Sequence, residues 1–390
     1  MLCPNGKYAS QYRQKQEVLC AITTTACLLI LSVPVTADEP GSNQGPDFTE
    51  YENAVEGGIR YLATVGQAPD GSFSKFAGTG PTSLAVTAML RNGRTPRDPV
   101  VAKGLQYLES CAHQDGGIYG KGGMFGNYET CAAIMCFQEA NTDGQYDDLL
   151  KKAEAYIRDV QWNESHDRES WDSYYGGSGY GGTTRPDLSN TAFLVDALKS
   201  RGVDENDKAI QQALTFVSRC QNLETEHNTT PFAAKINDGG FYYTPVVSEQ
   251  DTDRMTANGG LRSYGSMSYA GLKSMIYAGL NRDDPRVKSA VSWIQKHYDV
   301  KSNPGMGSAG LYYYYNTFAK SLDVLGEDLI EDADGAKHDW RQELTRELMN
   351  RQQPNGSWIN QKNPRWMEGD PNLVTAFSLL ALSYCRPEFE

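Results

Sequence analysis

A helix, a glycine-rich turn carrying an aromatic residue, and a second, more apolar helix recur along this chain. That repeat restricts the fold more than any other feature. The first helices end on Gly58 to Leu62, Gly104 to Leu108, Ala153 to Ile157, Ala213 to Val217, Ala290 to Ile294 and Leu344 to Leu348. The second helices align on a hydroxyl followed by apolar positions: Ser83, Thr130, Thr191, Ser268, Thr317 and Thr375. No strand signal of useful length lies between them.

Each first helix needs one wet face, as Lys151, Lys152, Glu154, Arg158 and Asp159 illustrate. The second helices, such as Thr375 to Leu382, are apolar nearly all round and must be buried. Six hairpins of this kind close most simply as two concentric rings. The expected fold is an all-α (α/α)6 toroid spanning residues 51–385, with a tail over 386–390. An open solenoid is disfavoured, because the repeats carry no polar caps. The connections within repeats are long, above all Trp162 to Asp187 and Gln221 to Tyr264. They leave the ring on one side, where the inner-helix N-termini point, and long loops carry function.

The first 37 residues read as a secretory leader. Lys7, Arg13 and Lys15 precede an uncharged stretch from Val18, which ends on Val35, Thr36 and Ala37. Residues 38–50 read as a short linker, so an exported protein with no membrane span after cleavage is expected. The formal net charge of −13 repels nucleic acid. Beyond the leader stand Cys111, Cys131, Cys136, Cys220 and Cys385, with no C-x-x-C pair. Buried thiols are the expected state, with a Cys111–Cys131 disulfide as the alternative.

These motifs resemble the terpenoid cyclase and protein prenyltransferase superfamily, the squalene-cyclase-like toroids. Leu348, Gln352, Gly356 and Trp358 fit the signature of an aliphatic residue, a Gln and Gly-x-aromatic. Ile157 with Gln161 and Val217 with Gln221 match its Gln spacing; Gln67 with Gly71 and Gln114 with Gly117 are looser copies. The fifth repeat lacks the Gln. The resemblance implies binding, and transformation where the catalytic groups are present, of an isoprenoid or similar apolar ligand in a central cavity.

The chemistry of that superfamily does not carry over intact. Its class II cyclases protonate an alkene or epoxide with an Asp-x-Asp-Asp motif, and this chain has none. Asp283-Asp284-Pro285 reads instead as a helix start, and Asp251 and Asp253 as solvated loop charge. Prenyltransferases hold zinc through Asp, Cys and His. Here Asp187-Leu188-Ser189 stands where Asp-x-Cys would, and the helix start from Asp370 to Thr375 has no His. His113, His166, His227, His297 and His338 form no pair at ligand spacing. Neither a metal nor a cofactor is expected. Gly177, Gly179 and Gly182 follow no strand, so a dinucleotide loop is not implied.

Aromatics and a few charges remain at the loop end. The expected ligand-binding residues are Trp171, Tyr174, Tyr175, Tyr180, Arg185, Tyr242, Tyr243 and Trp366, beside the run Tyr312 to Tyr315. Asp172, Asp187 and Asp238 are the candidate catalytic carboxylates, with Asp187 also suited to capping the helix it precedes. Trp171, Asp172, Tyr174, Arg185, Asp187, Asp238 and Tyr242 are expected around one cavity mouth. The inner-helix N-termini should give that mouth a positive bias favouring a phosphate or carboxylate head, assisted by Arg185 and Arg262. Two other functions compete: polysaccharide processing by the same carboxylates on a glycan, and an exported interaction scaffold.

Overall fold

The computed structural model describes residues 48–182 and 184–386. The leader and most of the linker lie outside the described residues.

Six outer helices are α1 (Phe48–Tyr61), α3 (Pro99–Glu109), α5 (Asp147–Asp159), α7 (Lys208–Arg219), α10 (Pro285–Lys296) and α12 (Trp340–Arg351). Six inner helices are α2 (Gly80–Arg91), α4 (Gly126–Ala140), α6 (Leu188–Ser200), α9 (Gly265–Tyr277), α11 (Leu311–Leu325) and α13 (Pro371–Ser383). A short α8 (Ala233–Ile236) sits within the fourth long loop. Helix α5 buries Leu150, Ala153 and Ile157 while Lys151 and Lys152 face solvent, the stripe of a helix wet on one side. Helix α13 buries every residue from Leu373 to Leu382.

Each inner helix packs on the next, and α13 packs on α2, which closes the ring. Tyr51 Oη donates across that seam to the Leu382 carbonyl at 2.9 Å. Asp284 caps α10 by accepting from Arg286 N at 2.9 Å, as the Asp-Pro pair requires. Asp332 to Gly335 form the turn of a hairpin joining β1 (Leu329–Glu331) to β2 (Lys337–Asp339). The five cysteines are free thiols, four of them buried.

The repeat signature is a set of stitches between neighbouring hairpins. Gln352 Nε2 donates to Gly356 O at 2.9 Å and to Ala54 O, on the first helix of the chain, at 2.8 Å. Gln67, Gln161 and Gln221 bind their own turn and the next outer helix in the same way. Residues Leu62–Gly66 form a π-helical turn, and this wider turn accommodates the longer spacing before Gln67. In the second repeat Ala112, not Gln114, precedes the turn-forming residue: His113 N bonds to Gly117 O as Gln353 N does to Ser357 O.

The aligned hydroxyls have a parallel task. Thr130, Thr191, Ser268 and Thr375 accept the N–H of Ile118, Ser178, Phe241 and Trp358 at 2.9–3.0 Å. In the first repeat Thr82 does this for Phe73, one position before Ser83. Replacing Gln352 with Leu should cost about 1–3 kcal/mol in urea denaturation, because two carbonyls lose their donor at the seam.

Candidate functional site

At the N-terminal end of the inner helices an aromatic collar surrounds one buried carboxylate. Asp187 is 2% exposed and caps α6, accepting from Asn190 N at 2.8 Å and from Asn190 Nδ2 at 2.7 Å. Burial pushes its carboxyl up to about 6, against the pull of Asn190, of the Tyr243 hydroxyl and of the Arg185 charge. Tyr180 reaches in from the preceding loop, its carbonyl accepting from Asn127 and Tyr128 at the start of α4. Its ring meets Phe125 at 5.3 Å and Tyr128 at 6.2 Å, and Tyr128 meets Phe193 at 5.0 Å. On the far side Tyr313 shares a hydrogen bond of 2.9 Å with Ser189 and packs edge-on to Phe377. Trp366 borders this end as well; a Cβ on Gly310 would lie 3.3 Å from its ring. Phe76, Met124, Phe125, Tyr180, Trp366 and Met367 leave large apolar surface exposed on these loops.

Of the seven residues expected at one mouth, Arg185 and Asp187 come together there, joined by Tyr180 and Tyr243 of the expected ligand-binding set; Trp171, Asp172, Tyr174, Asp238 and Tyr242 are held elsewhere. Asp172 pairs with Arg168 at 2.9 Å, and its carbonyl accepts from Arg219 of α7. Tyr174 stacks under the Arg168 guanidinium, Tyr175 bonds Glu164 and Gln212, and Trp171 stands 80% exposed beside them. The first half of that long loop thus folds outward over an outer helix, and only its second half reaches the mouth. Asp238 is held by Ser263 and by the indole of Trp293 on α10, and Tyr242 by the Arg219 carbonyl. Asp172 and Asp238 thus engage Arg219 of α7 and Trp293 of α10, while Asp187 faces the collar.

The expected anion preference of the helix N-termini is also absent, because the protein supplies the acceptors. Glu129 serves the start of α2, the Tyr180 carbonyl α4, Asp187 α6 and Asn303 α9. Glu368 takes Tyr312 N and Tyr313 N on α11, and Asp370 takes Leu373 N on α13. Arg185 is bound by Asp251 at 2.6 Å and Arg262 by the Asp253 carbonyl. Asp251 is thus a buried partner and no solvated charge; the Arg185 hydrogen bond holds its carboxyl well below the usual range.

Beneath the collar an axial cavity runs from Phe193 and Tyr313 to Arg91 and Tyr384, near the C-terminal ends of α2 and α13. Its volume is about 30 Å³, room for roughly two water molecules. Leu84, Ala132, Met135 and Leu380 give it apolar walls. Asp196, Lys273 and Lys320 also line it, a charged group that the sequence reading missed. Lys273 and Lys320 meet Asp196 Oδ2 at 2.6 and 2.8 Å. Burial pushes Lys273 down to about 8 and lowers Lys320 as well; the Asp196 charge opposes both shifts. A sequence signal existed. Asp196 and Lys273 each fall five residues after the aligned hydroxyl of an otherwise apolar helix, and Thr87, Met135 and Leu380 hold that layer elsewhere.

Residues 79–246 match the family model of the squalene-hopene cyclase C-terminal domain. The type II terpene cyclase MstE from Scytonema superposes with a TM-score of 0.51 at 13% identity, over 87% of this chain and 98% of that one. The chain folds as an α/α toroid similar to that of a type II terpene cyclase. A variant of MstE in complex with its substrate geranylgeranyl dihydroxybenzoate gives a TM-score of 0.53 at the same identity and coverage. The toroid is as similar to a D-mannose isomerase, at a TM-score of 0.54, 13% identity and coverage of 89% and 98%. The fold thus hosts unrelated chemistries, and function rests on the site. No curated protein sequence matches. Among the described residues no helix of the toroid is long and apolar enough to cross a membrane, and no three His, Cys, Asp or Glu side chains converge as a metal site would need.

Proposed function

We propose that this toroid is exported and binds an isoprenoid-like apolar ligand at its loop-end mouth. The hydrocarbon lies on the aromatic collar, and a hydroxyl of the ligand donates to Asp187. One observation carries this reading: a buried carboxylate ringed by Tyr180, Tyr243 and Tyr313, with exposed apolar side chains around it. The substrate complex of the structurally similar MstE supports an isoprenoid as the ligand class. The leader from Lys7 to Ala37 supports export. With an axial void of about 30 Å³, the ligand's hydrocarbon lies on the collar above Phe193 and Tyr313.

Binding fits these groups better than cyclisation does. A carboxyl with a pKa of about 6 is a weak proton donor toward an alkene, and the chain has no Asp-x-Asp-Asp motif to sharpen it. Two ammonium groups in the cavity below would also oppose a passing carbocation.

Organic extraction of the purified protein followed by mass spectrometry should recover a lipid of isoprenoid type. Asp187→Asn should keep the fold, since Asn caps nearly as well, and should weaken retention of that lipid at least about tenfold. Retention by the wild type should fall as pH drops through about 6, where Asp187 takes up a proton and stops accepting; the Asn variant should show no such step. Unchanged retention in Asp187→Asn would reduce Asp187 to its capping role and end this assignment.

A further inference from the structure

The axial cavity contains more positive than negative charge. Lys273 and Lys320, with side chains 4% and 12% exposed, share the single carboxylate of Asp196. Arg91, at the far end, is neutralised by Glu139 at 2.7 Å. Asp323, which feels the charges of Arg341, Arg91 and Lys320, lies 3.6 Å from Arg341, whose guanidinium also meets Asp328 at 3.2 Å. Around the cavity itself two ammonium groups therefore share one carboxylate, between the apolar Leu84, Ala132 and Phe193 and the polar Thr87, Asn316 and Thr317. Two ammonium groups on one carboxylate are costly to hold in such surroundings, and an anion in the cavity relieves that cost.

A second observation narrows the counter-ion. Asp196 is 7% exposed, and its Oδ1 is buried with no hydrogen-bond partner among the described residues. The cavity thus offers donors from two ammonium groups and an acceptor that lacks a donor. We propose that it is a binding site for a phosphate-type oxyanion that keeps at least one P–OH: the acidic oxygens lie on Lys273 and Lys320, and a P–OH donates to Asp196 Oδ1. A carboxylate or sulfate ion brings acceptors only and would set an oxygen against Oδ1. The void, roughly two waters in size, suits a small oxyanion, and a chain esterified to it would leave past Phe193 and Tyr313. The site does not depend on the mouth reading, since none of its charged residues belongs to the collar.

Two sources of that chemistry exist, free phosphate and the head of an apolar phosphomonoester. Isothermal titration calorimetry of the full chain at low ionic strength separates them, with inorganic phosphate, sulfate and farnesyl monophosphate as probes. Inorganic phosphate should bind once per chain, and sulfate at least about tenfold more weakly, because it cannot satisfy Oδ1. Farnesyl monophosphate binding more tightly than phosphate, with that gain lost in Lys273→Met, identifies a lipid head as the ligand; equal or weaker binding, or a gain that survives Lys273→Met, identifies the free ion. Variants of Asp196 lose stability on their own account, so the deciding variant is Lys273→Met. It keeps the Asp196–Lys320 pair and should weaken phosphate at least about tenfold. No binding of phosphate at millimolar concentration, equal binding of sulfate, or binding indifferent to Lys273→Met would each overturn the proposal.

Discussion

Asp196→Leu should destabilise the protein by about 3–5 kcal/mol, enough to abolish cooperative folding in a marginal protein. The change leaves the Lys273 and Lys320 ammonium groups facing each other in the axial cavity without a carboxylate. Lys273→Met should cost much less, because Asp196 and Lys320 then remain as a balanced pair. Urea denaturation of the two variants checks the asymmetry, and equal losses would show that the cluster is not held by charge balance. The pH dependence has a definite sign. The folded protein holds Lys273 at about 8 against an ordinary 10.5, so between those values the unfolded chain binds more protons. Stability contributed by this group therefore rises with pH from about 8 to 10.5 and is lowest below 8.

Gly176→Ala should be as damaging, for a steric reason. Gly176 has φ of +81°, and a Cβ there would sit 1.8 Å from the Gln212 carbonyl of α7. Both the left-handed backbone and the approach of loop to helix need a residue without a side chain. Gly202 separates the two effects, having φ of +78° with nothing within 4 Å of an added Cβ. Gly202→Ala should cost about 1–2 kcal/mol, the backbone strain alone. Gly176→Ala should cost about 4 kcal/mol or more, since turn and outer helix must separate. Chemical denaturation of both variants reads the difference directly. Comparable losses would mean that the close contact relaxes without cost.

Much of the architecture was legible because it is local and periodic. A stripe such as Leu150, Ala153, Ile157 announces an outer helix, and the continuous burial of Leu373 to Leu382 an inner one. The Gln and Gly positions were legible as a pattern, but their task was not. That Gln352 holds Ala54 is a fact about residues almost three hundred positions apart. Small errors of register followed: Ser83 was read where Thr82 bonds, and Gln114 where Ala112 stands.

The site was legible only in part, and the division has a physical cause. Asp187 could be read from sequence, because a helix-capping carboxylate after a long glycine loop is a local arrangement. Loop length alone did not show that the stretch from Trp171 to Tyr175 packs outward on α7, since that depends on Arg219 and Gln212 from the next repeat. The helix N-termini looked free for an anion because their acceptors, Glu129 and Glu368 among them, come from elsewhere in the chain. Sequence by itself determined the ring of six hairpins and placed long loops on one side, because hydrophobic period and turn chemistry are local. Only the tertiary structure put Asp196, Lys273 and Lys320 around one axis, since the charge balance of a buried cavity is a sum over side chains that only folding brings together.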